Sequence, residues 1–329
     1  MRFFLPILLM LVSVRVFAQD CSQELLAQKP GTWKAGMKGS TPNVSAADLV
    51  KEKAVLANIH KMISAGYGPK GCQVTYSNAL SGADSGAGKN WVADNFSYNM
   101  YILRYLCDQN STDKSKYYVD ISTPTTVSVT ANAVWSLNNL FAADLPDDDF
   151  RGYLKLREKP QIKDGFRYMG EEVVGDGGAE NKTIEYRWLI TYDDKLPFSY
   201  LSRKEYLLIQ KRRLEKTMKD DASSSDYYKQ FMKNIDTELS KPEEKLIIPA
   251  ICKWNDEERF TSFVEEGTKG SFIAVKPDLN YYNKKLPKSA PQFFFVQYII
   301  AHGDLVFEEN IAGIQKAVDF NALKAMLGK

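Results

Sequence analysis

A short apolar run at the N-terminus most constrains the setting in which this chain must fold. Arg2 precedes PILLMLV at 6–12, and Val16 and Ala18 are small residues three and one positions before a cleavage point. The run is far shorter than the ~20 apolar residues that span a bilayer, and its layout is that of a secretory signal peptide. The sequence therefore predicts that residues 1–18 are removed. The mature chain then folds outside the cytoplasm, in the periplasm or the extracellular space.

The mature chain is electrically balanced. Removal of residues 1–18 takes two arginines and no acid, so 43 basic residues become 41, equal to the 41 acidic residues. A neutral chain has no long-range attraction for polyanions, so no nucleic-acid partner is expected. No membrane span is expected in the mature chain either. FFFVQYIIA at 293–301, the best candidate, has nine residues and predicts a buried strand.

Four cysteines remain after cleavage: Cys21, Cys72, Cys107 and Cys252. An even number in an oxidising compartment predicts one or two disulfides, and the three possible pairings stay open. None of the cysteines forms a CxxC pair, and the chain has only two histidines, so a zinc site of the usual kind has little support. No catalytic, cofactor-binding or metal-binding residue is assigned.

The length and patterning predict an α+β protein of two modules, each combining helices with a mainly antiparallel sheet. A single hydrophobic core rarely serves about 300 residues. We therefore expect an extended N-terminal arm at 19–44, one domain at 45–195 and a second at 196–329. The second domain carries a helical segment at 203–247. Both modules read as helices followed by strands.

Local signals support this division. Ser45 with Asp48 predicts a helix start, and Ser202 with Glu205 forms a capping-box pattern before a helix at 203–219. Segments rich in β-branched and aromatic residues predict strands. They are CQVTYSNAL (72–80), FSYNMYILRYLC (96–107), KYYVDISTPTTVSVTANAVW (116–135), TIEYRWLITYDD (183–194) and PQFFFVQYIIAHGDLVFEE (291–309).

Several segments give the chain a family resemblance. They are PGTWK (30–34), KLPFSYLSRKEYL (195–207), PEEKLIIPAI (242–251), NYYNKKLPKSAPQFF (280–294) and DFNALKAMLGK (319–329). In these segments the chain resembles a set of uncharacterised exported proteins of Bacteroidetes-type bacteria, most strongly over 185–329. The resemblance implies export from a Gram-negative bacterium. The family brings no established activity or catalytic residues.

A glycine-rich stretch, LSGADSGAGKNW at 80–91, invites comparison with a phosphate-binding loop. Counted from Gly82, the second glycine of that motif falls on Ala87, and Asn90 replaces the hydroxyl residue that holds magnesium. The flanking residues also lack the buried strand and the following helix that the motif requires. The stretch is therefore interpreted as a surface loop without a nucleotide cofactor.

The two histidines offer few sites for chemistry. His302 lies two residues before Asp304, which suggests a nucleophile–His–Asp arrangement. We favour a tight hairpin with His302-Gly303 at its turn, because no nucleophile-elbow motif is present. His60 is predicted to lie on the solvated face of a helix.

Charged and aromatic clusters leave two function classes open. Carboxylates at Asp147–Asp149 and Glu265–Glu266 can bind calcium or hydrolyse glycosides, but such runs are usually solvated. The basic helix at 203–219 is interpreted as solvated and not as membrane-bound. Trp188, Tyr281, Tyr282 and Phe293–Phe295 can line a glycan or peptide site, although aromatics in strands usually lie in the core.

The sequence favours a binding or structural module of the cell envelope over an enzyme, with an envelope protein or a glycan as the partner. The alternative is a carboxylate-dependent hydrolase of an envelope or extracellular polymer. A subunit of an envelope complex, joined through the arm or the basic helix, is a further alternative.

Overall fold

The computed structural model describes residues 21–37, 44–81, 93–133, 153–176, 182–193, 195–221, 225–254 and 260–329. The predicted signal peptide at 1–18, most of LSGADSGAGKNW and the run Asp147–Asp149 lie outside the described residues. Within those ranges the chain forms seven helices and thirteen strands. The predicted α+β class is confirmed.

The helices are named in chain order. They are α1 (Gln23–Gln28), α2 (Ala46–Gly66), α3 (Arg203–Asp220), α4 (Ser225–Leu239), α5 (Glu243–Leu246), α6 (Leu305–Ala317) and α7 (Phe320–Met326).

The strands follow the same convention. They are β1 (Thr32–Ala35), β2 (Cys72–Ser81), β3 (Asn95–Cys107), β4 (Tyr117–Val119), β5 (Thr126–Ala131), β6 (Leu154–Leu156), β7 (Gln161–Lys163), β8 (Phe166–Asp176), β9 (Lys182–Ile190), β10 (Phe198–Tyr200), β11 (Ile251–Lys253), β12 (Ser271–Pro277) and β13 (Phe294–Ala301).

The strands form two sheets. The large sheet has the order β1-β2-β3-β5-β13-β9-β8-β7, with β4 also paired to β3. The small sheet has the order β10-β12-β11, with β6 paired to β12. Only the β1–β2 pair is parallel among the described strand pairs, so the sheets are mainly antiparallel, as predicted.

The side chains of β13 and β12 point alternately to the two faces of their sheets and so contribute to three hydrophobic cores. In β13, Phe294 and Val296 join a core under α2 and α6, whereas Phe295 points to the opposite face and joins a core shared with the small sheet. In β12, Ile273 belongs to that shared core, whereas Phe272 joins a third core with α3. Successive strand residues face opposite sides of a sheet, so one strand serves two cores.

The predicted boundary at 195/196 does not coincide with a boundary between sheets. Strand β13 from the C-terminal part lies between β5 and β9 of the N-terminal part. Strand β6 from the N-terminal part pairs with β12 in the small sheet. The two predicted modules therefore share both sheets.

The predicted helix starts are confirmed by their caps. The Ser45 hydroxyl accepts a hydrogen bond from the Asp48 amide at 3.1 Å, which begins α2. Ser202 and Glu205 form the complete capping box of α3. The segment predicted as an extended arm contains α1 and β1 instead, because β1 gains backbone hydrogen bonds by pairing with β2.

One disulfide forms, between Cys21 and Cys107, which are 86 positions apart in the sequence. One disulfide lies within the predicted one or two, and Cys72 and Cys252 are buried and form none. Their places explain this: Cys72 lies in the core under α2, and Cys252 lies in the core under α3. Among the described residues, no helix has the length and hydrophobicity that crossing a bilayer requires.

The disulfide ties the segment at α1 to the end of β3, so its removal should destabilise the fold. We expect Cys107→Ser to lower the free energy of unfolding by about 2–5 kcal/mol, because the unfolded chain regains the entropy of an open loop. Urea denaturation measures the change. Reductant should lower the wild type to the level of the variant and leave the variant unchanged. An unchanged midpoint for the variant would contradict the assignment.

Candidate functional site

His302 lies between β13 and α6, where the sequence predicted a hairpin between two strands. Residues 302–304 connect β13 to α6 and do not turn between two strands. Gly303 adopts a φ of 87°, a conformation that glycine takes without strain. Asp304 then caps α6, because its carboxylate accepts hydrogen bonds from the amides of Val306 and Phe307.

Asp304 does not act on His302. Besides capping α6, its carboxylate binds the guanidinium of Arg104 at 2.6 Å. The His302–Asp304 arrangement, which the sequence suggested less strongly than a hairpin, does not form, and the favoured hairpin is wrong because α6 follows β13. The imidazole of His302 instead contacts Glu308, which lies one turn further along α6.

The imidazole of His302 lies in a hydrogen-bonded chain of three residues. Its Nε2 atom is 3.1 Å from the hydroxyl of Tyr186, and its Nδ1 atom is 3.2 Å from Oε1 of Glu308. A carboxylate only accepts hydrogen bonds, so Nδ1 carries the proton. In the neutral imidazole, Nε2 then accepts the hydrogen bond of the Tyr186 hydroxyl. Gly303 also donates its amide to Glu308 at 3.1 Å, which fixes the carboxylate.

Half-buried aromatic rings continue from this chain across two strands. Tyr186 and Trp188 of β9 lie on the helix-covered face of the large sheet, and Leu189, which follows Trp188, faces the opposite core. Tyr168 of β8 pairs directly with Trp188. The rings of Tyr168 and Trp188 lie 5.0 Å apart, and Phe320 of α7 supports Trp188 from 5.4 Å. The two strands therefore present neighbouring rings beside the imidazole.

Two carboxylates flank this row of rings. Glu171 is opposite Tyr186 in the strand register and accepts a hydrogen bond from the hydroxyl of Tyr168 at 3.2 Å. Glu308 is linked to the row by its hydrogen bond with His302, which in turn contacts Tyr186. We name the set Tyr168, Glu171, Tyr186, Trp188, His302 and Glu308 the aromatic–carboxylate surface.

Burial and the two carboxylates raise the pKa of Tyr186. Burial is the larger cause, followed by the charges of Glu171 and Glu308. Burial also raises the pKa of Tyr168, followed by the charge and the hydrogen bond of Glu171 and by the smaller effects of Tyr186 and Glu158. Both hydroxyls therefore stay protonated at neutral pH and act as hydrogen-bond donors, not as nucleophiles.

A lysine side chain of the same chain already lies over two of these rings. The ammonium of Lys163 lies 5.0 Å from the ring centre of Tyr168 and 5.7 Å from that of Trp188. The two-residue turn Asp164-Gly165 places it there, since both residues have positive φ and so favour a tight hairpin. The ring faces thus accept a positive charge.

His60 is half-buried in an aromatic cluster, whereas the prediction placed it on the solvated face of a helix. Its Nδ1 atom is 2.7 Å from the hydroxyl of Tyr98, and its ring stacks on Tyr76 at 4.2 Å. Trp33 of β1 approaches edge-on at 5.6 Å. Burial lowers the pKa of His60. The prediction failed because β1, which brings Trp33 over the helix, was read as a free arm.

Other residues considered from the sequence lie apart from the aromatic–carboxylate surface. Tyr281, Tyr282 and Phe293–Phe295 are buried core residues. Glu265 and Glu266 are exposed, and Glu266 pairs with Lys159 at 2.6 Å. On α3, Lys204 pairs with Glu243 and Lys211 with Asp236, so acidic residues offset part of its basic side. Within the described ranges, no three His, Cys, Asp or Glu side chains are arranged to hold a metal ion.

Sequence reasoning missed most of this surface. Only Trp188 and His302 were considered, because Tyr186 and His302 are 116 positions apart and meet only through the β9–β13 pairing. One signal was present: Asp304 before an apolar run, with Glu308 four residues on, is a helix-start pattern. That pattern would have placed Glu308 one turn into a helix, near the preceding turn.

The chain matches no family model, no curated protein and no solved structure. Its function must therefore be argued from the site itself.

The separate roles of Asp304 and His302 can be tested by stability. We expect Asp304→Ala to lower the free energy of unfolding by about 1–2 kcal/mol, since it removes a helix cap and the Arg104 ion pair. His302→Ala should cost less than about 1 kcal/mol, because its side chain is 34% exposed. Urea denaturation compares the two. A larger loss for His302→Ala would contradict the division of roles.

Proposed function

We propose that this protein is an exported binding module that takes a neutral or amine-bearing sugar chain on the aromatic–carboxylate surface. The observation that carries the proposal is the row of half-buried rings, Tyr168, Tyr186 and Trp188, lined by hydrogen-bonding groups. A sugar ring presents an apolar face that packs on an aromatic ring and hydroxyl groups that need polar partners. This surface offers both within one strand pair.

The polar groups suit hydroxyls and cations better than anions. Glu171 and Glu308 accept hydrogen bonds, whereas His302 is already oriented between Tyr186 and Glu308. The Lys163 ammonium shows how a positive group is held over the rings. A chain of uronic acids would bring like charges toward the two carboxylates, which disfavours binding.

Aromatic substitutions test the site. We expect Tyr168→Ala and Trp188→Ala each to weaken binding of neutral or amino-sugar oligomers by about tenfold, the effect of losing one stacking contact of about 1.4 kcal/mol. Calorimetric titration measures the affinity. The matched control is Tyr101→Ala, since Tyr101 is an exposed tyrosine on the opposite face of the large sheet. Equal losses for Tyr101→Ala and Tyr168→Ala would rule out this surface.

Lys163 should compete with the ligand. Because its ammonium lies over two of the rings, Lys163→Ala is expected to leave binding of neutral oligomers intact or to tighten it by a few fold. The same titration measures this. A loss of affinity as large as that for Trp188→Ala would mean that Lys163 contacts the ligand instead of competing with it.

A hydrolase is the second candidate. The Tyr186–His302–Glu308 chain has the nucleophile–base–acid order of a catalytic triad. The raised pKa of Tyr186 argues against this reading, because a triad must favour the deprotonated nucleophile. Turnover of a polymeric sugar that disappears in both Glu308→Gln and Tyr186→Phe would favour the hydrolase. Unchanged oligomers after incubation with the wild type would favour binding.

Export is part of the proposal. It rests on the N-terminal pattern at 1–18, on the resemblance to exported proteins of Bacteroidetes-type bacteria, and on the Cys21–Cys107 disulfide. Expression of the full chain in a Gram-negative host, followed by peptide mass mapping of the periplasmic fraction, tests it. A mature N-terminus at Gln19 is expected, and an intact Met1 in the cytoplasm would overturn it.

A further inference from the structure

We infer that the rings of Tyr168 and Trp188 form a binding site for the ammonium group of a sugar ligand, and that the side chain of Lys163 blocks this site until the ligand displaces it. The inference rests on the proposed function and narrows it. Of the two kinds of sugar chain, the amine-bearing one is preferred over the neutral one. Lys163 is then an autoinhibitory residue of the aromatic–carboxylate surface.

The arrangement of the two rings is the first observation. Their centroids are 5.0 Å apart, and their planes are inclined by 53°. The Lys163 ammonium lies over both, at 5.0 Å from the ring centre of Tyr168 and 5.7 Å from that of Trp188. Both distances are within the ~6 Å over which the negative face of an aromatic ring attracts a cation. One ammonium group therefore contacts two ring faces at once, as in the aromatic cages that bind alkylammonium ligands.

Neighbouring residues hold the two rings in place. Tyr168 and Trp188 are paired in the register of β8 and β9. Phe320 of α7 packs against Trp188 at 5.4 Å and against Phe166 at 5.2 Å. The hydroxyl of Tyr168 donates a hydrogen bond to Glu171 at 3.2 Å. The rings are thus ordered by contacts other than that with Lys163, so the site is preorganised for a different ammonium group.

Carboxylates add negative charge beside the rings. Glu171 is exposed and lies at the Tyr168 hydroxyl. Gly170 has a φ of 93°, and the carboxylate of Glu158 packs where a Cβ atom at that position would lie. Burial raises the pKa of Tyr168 most, and the charges of Glu171 and Glu158 add to the effect. An ammonium group is attracted by both the rings and the carboxylates, whereas an uncharged N-acetyl group is not.

Lys163 is placed so that its side chain can move away without moving the backbone of the sheet. It is the last residue of β7, an edge strand whose three residues are all exposed, and it directly precedes the turn Asp164-Gly165. A cation–ring contact at such an exposed position is weak. A ligand ammonium cannot share the rings with Lys163, because two like charges at this separation repel each other. Binding of an amine therefore requires the Lys163 side chain to turn into the solvent.

The groups next to the ring pair favour an amino sugar over a basic peptide. Tyr186 lies on the same face of β9 as Trp188, and its hydroxyl is 3.1 Å from the imidazole of His302. A sugar unit that follows the ammonium-bearing one would therefore meet a further ring and polar groups suited to hydroxyls. A lysine side chain joins its ammonium to an apolar stem, which has no hydroxyl to bond with these groups.

The experiment compares tetramers of glucosamine and of N-acetylglucosamine by calorimetric titration of the full mature chain at about pH 6, where amines are protonated and carboxylates ionised. We expect Lys163→Ala to bind the glucosamine tetramer at least about tenfold more tightly than the N-acetylated one. The wild type should show a smaller ratio of affinities. Lys163→Arg, which keeps a cation over the rings, should resemble the wild type.

The outcomes separate this inference from the proposed function. Equal affinity of Lys163→Ala for the two tetramers would overturn the inference and leave the proposed sugar site standing. Failure of both tetramers to bind would overturn both. A trilysine peptide that binds Lys163→Ala as tightly as the glucosamine tetramer would overturn the choice of an amino sugar.

A second variant tests whether charge selects the amine. Glu171→Gln keeps an acceptor for the Tyr168 hydroxyl but removes the negative charge. Added to Lys163→Ala, it should lower the ratio of the two affinities by about three- to fivefold. The matched control Glu244→Gln removes the same charge from an exposed position on α5 and should leave the ratio as it is. The same ratio with Glu171→Gln as with Glu244→Gln would count against the inference.

Discussion

Strand β13 is the constraint on which the rest of the structure depends. It lies between β5 and β9, and its alternate side chains fill two different cores. Deleting one of these aromatic side chains, such as Phe294 or Phe295, would leave a void in a packed interior. Pairing with β13 sets the register of β9, and His302 follows directly after the last residue of β13. Fold and candidate site therefore rest on one central strand.

The position of the candidate site depends on the register between β13 and β9. Tyr186 of β9 faces the same side of the sheet as Tyr298 of β13, so the strand pairing brings its hydroxyl to the turn that follows β13. Gly303 makes the turn, and Glu308 closes the hydrogen-bonded chain from the first turns of α6. The groups are fixed by backbone elements and not by long loops. Such a surface is ordered before a ligand arrives, which reduces the entropy cost of binding.

The sequence predicts local structure well and long-range contacts poorly. Ser202 with Glu205 identifies a helix start, and the alternation in 293–301 identifies a buried strand, because both signals lie within a few residues. The insertion of β13 between β5 and β9 depends on residues far apart in the chain, which no local pattern records. The run after Asp304 was read as a strand, because a short apolar run fits either period. That error hid Glu308 and with it the chain to Tyr186.

The central claim is that ligands bind on the helix-covered side of β8 and β9, at the aromatic–carboxylate surface. Hydrogen exchange with and without a mixture of neutral and amino-sugar oligomers tests it most directly. The account predicts added protection in peptides from 166–176, 182–190 and 302–308. Protection confined to 97–101 and 126–130, whose polar side chains face the opposite side of the sheet, or no protection with any oligomer, would contradict it.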